Sequence, residues 1–165
     1  MEAFLPAENV TVRAATVADA GTIHRFSVAL ATYEDVPDAV TVTTEALARD
    51  GFGADPKFGA VIAEQAGRPV GFALYTFNYS TWTGARGMFI EDIWVEPEAR
   101  RGGVARALIA ALARDCAANG FKRIDLHVLD WNRARGFYER VGFVQMKAWL
   151  PYRLSGGALS ALARE

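Results

Sequence analysis

The chain has 165 residues, 52% of them hydrophobic and 22% charged, with a formal net charge of −1. That length suits one domain with a sizeable core, and no tract is repetitive or polar enough to argue for disorder. No apolar run approaches the ~18 residues of a membrane span, and the start "MEAFLPAENV" lacks the basic segment and apolar block of a secretory leader. A single cysteine, Cys116, excludes an internal disulfide and fits a reducing cytoplasm.

The net charge conceals an asymmetry. Residues 1–96 carry thirteen acidic against six basic side chains, and residues 97–165 carry six against twelve. Two differently charged faces of a small domain would explain this. So would an acidic half that meets a cation and a basic half that meets an anion.

In chain order, "VTVRAAT" alternates as a short strand. "TVADAGTIHRFSVALATYE" reads as a helix opened by Thr16 or Asp19, with Ile23, Phe26 and Leu30 at helical spacing. "VTTEALARDGFG" predicts a second helix, opened by Thr43 or Thr44 and ended by Gly51. "FGAVIAEQAGRPVGFALYTF" predicts two strands joined around Gly67, Arg68 and Pro69. "ARGMFIEDIWVEP" is a further strand, stopped by Pro97. A long helix follows an Arg/Gly turn; then "KRIDLHVLD" reads as a strand and "NRARGFYERVG" as a short helix. "FVQMKAWLPYRL" is expected to supply a last strand pair, and "SGGALSALARE" a helical tail. The order indicates an α/β (α+β mixed) fold: a mixed sheet with helices on both faces. No linker divides the chain, so residues 1–165 read as a single domain.

The turn "EPEARRGGVARA" carries the chemistry. The helix after it lacks a capping Ser, Thr, Asp or Asn, which leaves its first N–H groups available. The helix dipole adds positive potential there. Gly102 and Gly103 allow a ligand close to the backbone, Ala105 keeps the first turn slim, and Arg100, Arg101 and Arg106 add charge. A pyrophosphate fits these properties; an ordinary strand-to-helix turn with solvated arginines is the alternative. Neither G-x-x-x-x-G-K-[ST] nor G-x-G-x-x-G is present.

The pattern Arg-x-x-Gly-x-Ala at Arg100, Gly103 and Ala105 resembles the coenzyme A pyrophosphate loop of the GNAT-superfamily N-acetyltransferases. "FIEDIWVEPEAR" resembles that family's central strand, and "LDWNRARGFYERVGF" its closing strand–helix–strand unit. "TYEDV", "DGFGADPKFGAVIAE", "VGFALYTFNYSTW" and "EDIWV" are similar to the spermidine/spermine acetyltransferase branch, which includes diamine and thialysine acetyltransferases. The resemblance implies a GNAT fold with a central, mostly antiparallel sheet of about seven strands. It also implies acetyl-CoA as co-substrate, and a homodimer whose subunits meet through "AWLPYRLSGG". His24 and His127, far apart and with one cysteine, offer no metal site. The pI near 6.1 argues against nucleic acid as the partner of the basic half.

Acetyl transfer to a primary amine needs the neutral nitrogen, about 4.6 kcal/mol away at pH 7 for an amine of pKa ~10.4. The site must therefore attract a cation and then take a proton. Glu91 and Asp92 are neighbours on a strand, so alternation predicts opposite faces and different roles. By resemblance Glu91 is the base, through water, and Asp92 helps to hold the cationic amine. Tyr138 is the acid for the leaving sulfur, a packed aromatic being its structural alternative. Ile93, Trp94 and Val95 would offer backbone groups to the pantetheine, and the loop Arg100, Arg101, Gly102, Gly103, Val104, Ala105 and Arg106 the phosphate site. Asn132 would bind the pantetheine arm, a helix cap being its alternative, and Arg140 would approach the nucleotide.

On the amine side the resemblance places Tyr33, Glu34 and Trp82, where charge and cation–π attraction suit an ammonium. Trp82 has core or interface packing as its alternative. Asp125 and His127 lie on the strand beside the cleft, a structural role being the alternative for His127. Three departures stand out: five residues rather than six separate Asn132 from Tyr138, Ser80 replaces an acid, and Lys147 stands near another expected acid. The last two favour a short diamine or a lysine-like amino acid over a long polyamine. Acetylation of protein lysines or N-termini, and a non-catalytic acetyl-CoA sensor, remain alternative functions.

Overall fold

A computed structural model of the chain describes residues 9–165. The first eight residues of "MEAFLPAENV" lie outside the described residues. The backbone forms two compact units, one ending at His127 and the other running Val128–Glu165.

The first unit is a sheet with helices on both faces. Strand β1, Val10–Ala14, leads through a 3-10 turn at Val17–Asp19 into helix α1, Ala20–Tyr33. Both proposed start residues act there. The Thr16 N–H donates to Asp19 Oδ2 at 2.8 Å, and Asp19 also takes both terminal nitrogens of Arg13 at 2.8 Å. Helix α2, Thr44–Phe52, is capped by Thr43, whose hydroxyl accepts the Ala46 N–H. It continues through Gly51 and closes at Gly53. Gly51 is required for packing rather than for stopping the helix, because a Cβ there would lie 2.4 Å from the Phe58 ring.

Strands β2, Gly59–Gln65, and β3, Arg68–Ser80, form a hairpin whose turn is Ala66-Gly67, both left-handed. That is the two-residue connection whose twist matches paired strands. Arg68 and Pro69, expected in the turn, already belong to β3. Strand β4, Ala85–Val95, is followed by a 3-10 turn at Pro97–Ala99, helix α3, Val104–Ala118, and strand β5, Ile124–Leu126.

The sheet order is β1-β2-β3-β4-β5, antiparallel except for the parallel β4–β5 pair. Five strands are therefore seen among the described residues where about seven were expected. "KRIDLHVLD" contributes three paired residues. "FVQMKAWLPYRL" forms no strand, and its Val144, Trp149, Leu150 and Tyr152 stay exposed. An alternating pattern marks what a strand can bury, but only a pairing partner makes it a strand.

On one face, Phe72, Leu74 and Trp94 pack with Ile23 and Phe26 of α1 and Leu47 of α2. On the other, Ala63, Val70, Ile93 and Val95 pack with Val104 and Leu108 of α3. The second unit holds helix α4, Arg135–Arg140, and helix α5, Gly156–Leu162, where "SGGALSALARE" was expected to be helical.

Candidate active site

The arrangement of the acidic residues begins with an irregularity in β4. Leu74 pairs with Asp92, but its neighbour Tyr75 pairs with Ile90, so Glu91 is an extra residue without a partner. Such a bulge interrupts alternation and re-aims side chains. Asp92 shares the face of Leu74, toward α1, where Ser27 donates to its Oδ2 at 3.3 Å. Thr76, two residues beyond Leu74 and so on the same face, donates its hydroxyl to Glu91 Oε1 at 2.8 Å. Both carboxylates thus reach the α1 face. The expectation of opposite faces is corrected, because simple alternation assumes an unbroken ladder.

The environments of these acids differ. Glu91 is exposed. Burial pushes the Asp92 carboxyl above its ordinary range; the Ser27 bond opposes that, and the nearby charge of Glu91 adds to it. Glu34, just past the end of α1, is also pushed up, first by burial and then by the charge of Asp92. A cation entering here relieves both repulsions. Tyr33 stands beside Glu34, its ring 6.0 Å from that of Trp94. Ser27 and Thr76 were not singled out in the sequence. The visible signal was a hydroxyl residue on an otherwise apolar helix stripe and one at mid-strand; the bulge that recruits Thr76 leaves no mark in one sequence.

Beyond Ile90 the second edge of β4 has no strand beside it among the described residues, since β5 pairs only with Met88, Phe89 and Ile90. Along Ile93, Trp94 and Val95 the backbone groups on that edge therefore have no strand to pair with among the described residues. The Val95 carbonyl accepts the Arg100 Nε at 3.0 Å. The loop that follows turns through two left-handed residues, Arg101 at φ 65° and Gly103 at φ 80°. Gly103 is the cap position of α3 and supplies no side chain. No side chain caps α3, so the N–H groups of its first turn have no partner within the helix. Uncapped N–H groups on the positive end of a 15-residue helix make an anion cradle. Arg106 is exposed in its first turn.

Arg100 is placed differently from the rest of its loop. Its guanidinium lies 4.6 Å from the Trp94 ring centre and 5.5 Å from that of Tyr33, on the α1 face, while α3 packs on the opposite face.

Of the other expected residues in this unit, Trp82 is remote from this group, while Asp125 and His127 lie on or just past β5, beside β4. Trp82 is 89% exposed at the tip of the β3–β4 turn. It lies beyond Ser80, itself four residues or roughly 13 Å along the strand from Thr76. Ser80 organises that turn, accepting the Thr83 N–H on its hydroxyl and the Gly84 N–H on its carbonyl. Asp125 is paired with Arg123 at 2.8 Å, and His127 packs edge-on to Phe89 at 5.0 Å. Among the described residues no cluster of His, Cys, Asp or Glu could hold a metal ion.

In the second unit Tyr138 is buried, with its ring against Phe137 and Phe143. Asn132 Oδ1 accepts the Ala134 N–H at 2.8 Å, so it braces the turn into α4. Arg140 is exposed at the end of α4.

A profile of the acetyltransferase (GNAT) family matches residues 26–143. The chain is 38% identical to the thialysine N-epsilon-acetyltransferase of Sus scrofa, over 94% of this chain and 98% of that one. It is also 38% identical to the L-ornithine N5-acetyltransferase of Arabidopsis thaliana, over 56% of this chain and 41% of the relative. Among solved structures, an integron cassette protein from V. cholerae superposes with a TM-score of 0.79 at 22% identity, covering 95% of this chain and 99% of the other. That likeness concerns the fold.

Proposed function

The chain belongs to the acetyltransferase (GNAT) family and is an N-acetyltransferase. From that premise we propose that it moves the acetyl group of acetyl-CoA, the family's co-substrate, onto a primary amine of a small molecule, by direct attack in a ternary complex. The observation that carries this reading is the β4 bulge, which turns Glu91 and Asp92 to one face beside Ser27 and Thr76.

In this proposal Asp92 and Glu34 draw in the ammonium, and Glu91 accepts the proton through water. The neutral nitrogen attacks the thioester carbonyl carbon, the C–N bond forms, and the C–S bond breaks. Tyr138 gives its proton to the departing sulfur, and the surplus proton shed by the newly acetylated nitrogen restores it, so that the products are the neutral amide and the free thiol. Open backbone groups along Ile93 to Val95 would pair with the pantetheine, and the loop from Arg101 to Ala105, with the uncapped start of α3, would hold the pyrophosphate. The positive charges of Arg101 and Arg106 add to that cradle. Asn132 and Arg140 are assigned to the pantetheine arm and the nucleotide by resemblance, as Tyr138 is to the sulfur. Trp82, Asp125 and His127 are kept as substrate-side candidates.

The acceptor proposed is a short diamine or a lysine-like amino acid. The thialysine and ornithine relatives support it, as do Ser80 and Lys147 where acids were expected for a polycation. A homodimer through the exposed apolar stretch "AWLPYRLSGG" is part of the proposal, checked by the mass in solution.

The test measures coenzyme A release from acetyl-CoA over a panel of amines in the wild type, Glu91→Gln and Tyr138→Phe. Turnover of short amines by the wild type, lost in both variants while coenzyme A still binds, is the expected result. Undiminished turnover in both variants would sink the assigned roles.

A further inference from the structure

Arg100 is the residue whose geometry the reaction above does not use. It is exposed, yet its guanidinium is braced: Nε donates to the Val95 carbonyl at 3.0 Å, and the plane stacks near Trp94 and Tyr33. Stacked and anchored through one nitrogen, it holds Nη1 and Nη2 as a fixed fork, and among the described residues these find no acceptor. Glu96, the residue just past β4, is committed elsewhere, to Arg25 at 2.5 Å and the Trp94 indole at 3.3 Å. A planar fork with an open outer edge is the geometry that takes a carboxylate or phosphate bidentately.

The face decides between those anions. Trp94 and Asp92 both belong to the α1 face of β4, two residues apart, so about 7 Å separates them along the strand. A lysine-like molecule has five bonds between its α-carbon and its terminal nitrogen, a reach of about 6 Å, since each ~1.5 Å bond of a zigzag advances only ~1.25 Å. The open N–H cradle, in contrast, feeds α3, which packs on the opposite face.

Resting on the amine-acetyltransferase reading, we propose that Arg100 receives the α-carboxylate of the acceptor while Asp92 and Glu91 face its terminal amine, so that a carboxylate-bearing amine is preferred to its decarboxylated counterpart. Glu34, adjacent in sequence to Tyr33, would meet the α-ammonium. Arg100 is thereby a specificity-determining residue as well as a loop residue.

The test compares matched acceptors, lysine with cadaverine and ornithine with putrescine, in the wild type, Arg100→Met and Arg100→Lys, with acetyl-CoA KM measured alongside. The wild type is expected to favour the amino acids, as kcat/KM, by about 10–100-fold, the range of a charge-assisted pair. In Arg100→Met that ratio collapses toward one, whatever happens to the overall rate; Arg100→Lys, which keeps charge without the fork, falls between. A wild-type ratio near one overturns the proposal. So does a ratio unchanged in both variants with a raised acetyl-CoA KM, which would give the fork to the cofactor's phosphates. If Arg100→Met does not fold, the Arg100→Lys ratio alone decides. A wild type that turns over none of the four amines refutes the amine-acetyltransferase reading itself, and the Arg100 assignment with it.

Discussion

The Thr76 hydroxyl donates to Glu91 at 2.8 Å across the β3–β4 pair, although Glu91 has no partner in the strand register. The bond replaces what the bulge removed: with no ladder position to orient it, the Glu91 side chain is aimed by one hydroxyl on the neighbouring strand. Thr76→Val keeps the branched shape and deletes the donor. It is expected to lower kcat about 2–10-fold, the worth of one hydrogen bond, with acetyl-CoA affinity unchanged. An unaltered kcat would mean that Glu91 needs no such support.

Ser27→Ala tests the neighbouring carboxylate. Burial raises Asp92, the charge of Glu91 raises it further, and the Ser27 bond alone pulls it down. Deleting that bond moves Asp92 further upward, so the acid limb of the kcat/KM profile should shift to higher pH. A limb that stays in place would separate Asp92 from catalysis. The same upward shift implies a cost to folding once Asp92 is ionised, and that cost fades as pH falls through the raised value. Asp92→Asn should therefore raise the melting temperature at pH 7, with the gain shrinking under acid, while activity is lost.

Asp19 has the opposite sign. Arg13 first, then the Thr16 N–H and hydroxyl, hold its carboxyl down from 3.8 to about 2 against the effect of burial. The resulting stability is fully present above the unfolded value and disappears as pH drops toward 2. Because Arg13 is partly exposed, Asp19→Asn is expected to cost about 1–3 kcal/mol at neutral pH. Denaturant titrations of both proteins should converge near pH 2; a constant difference down to that pH would contradict the assignment.

Arg101 occupies a left-handed backbone conformation at φ 65°. A non-glycine residue pays about 1–2 kcal/mol there, partly offset by the greater unfolded entropy of glycine. Arg101→Gly should thus gain roughly 0.5–1 kcal/mol of stability. If the arginine is retained for its charge beside the cradle, acetyl-CoA KM rises in the same variant. Increased stability with an unchanged KM would leave the residue without a role in cofactor binding.

The sequence alone determined the local features. Thr16, Asp19 and Thr43 marked helix starts, since a cap is a contact within one turn of chain. The uncapped α3 announced its open N–H groups, and "EDIWV" and the Arg/Gly loop disclosed the family. Tertiary structure decided whatever depends on a partner far along the chain. Alternation placed Glu91 and Asp92 on opposite faces, and pairing with β3 put both on one. "FVQMKAWLPYRL" had a strand pattern but found no strand to join among the described residues. Arg100 read as a loop charge until Trp94 and Tyr33, six and 67 residues earlier, were seen beneath it. Caps and turns are set by neighbours in the chain, whereas register, bulges and stacking are set by residues that only folding brings together.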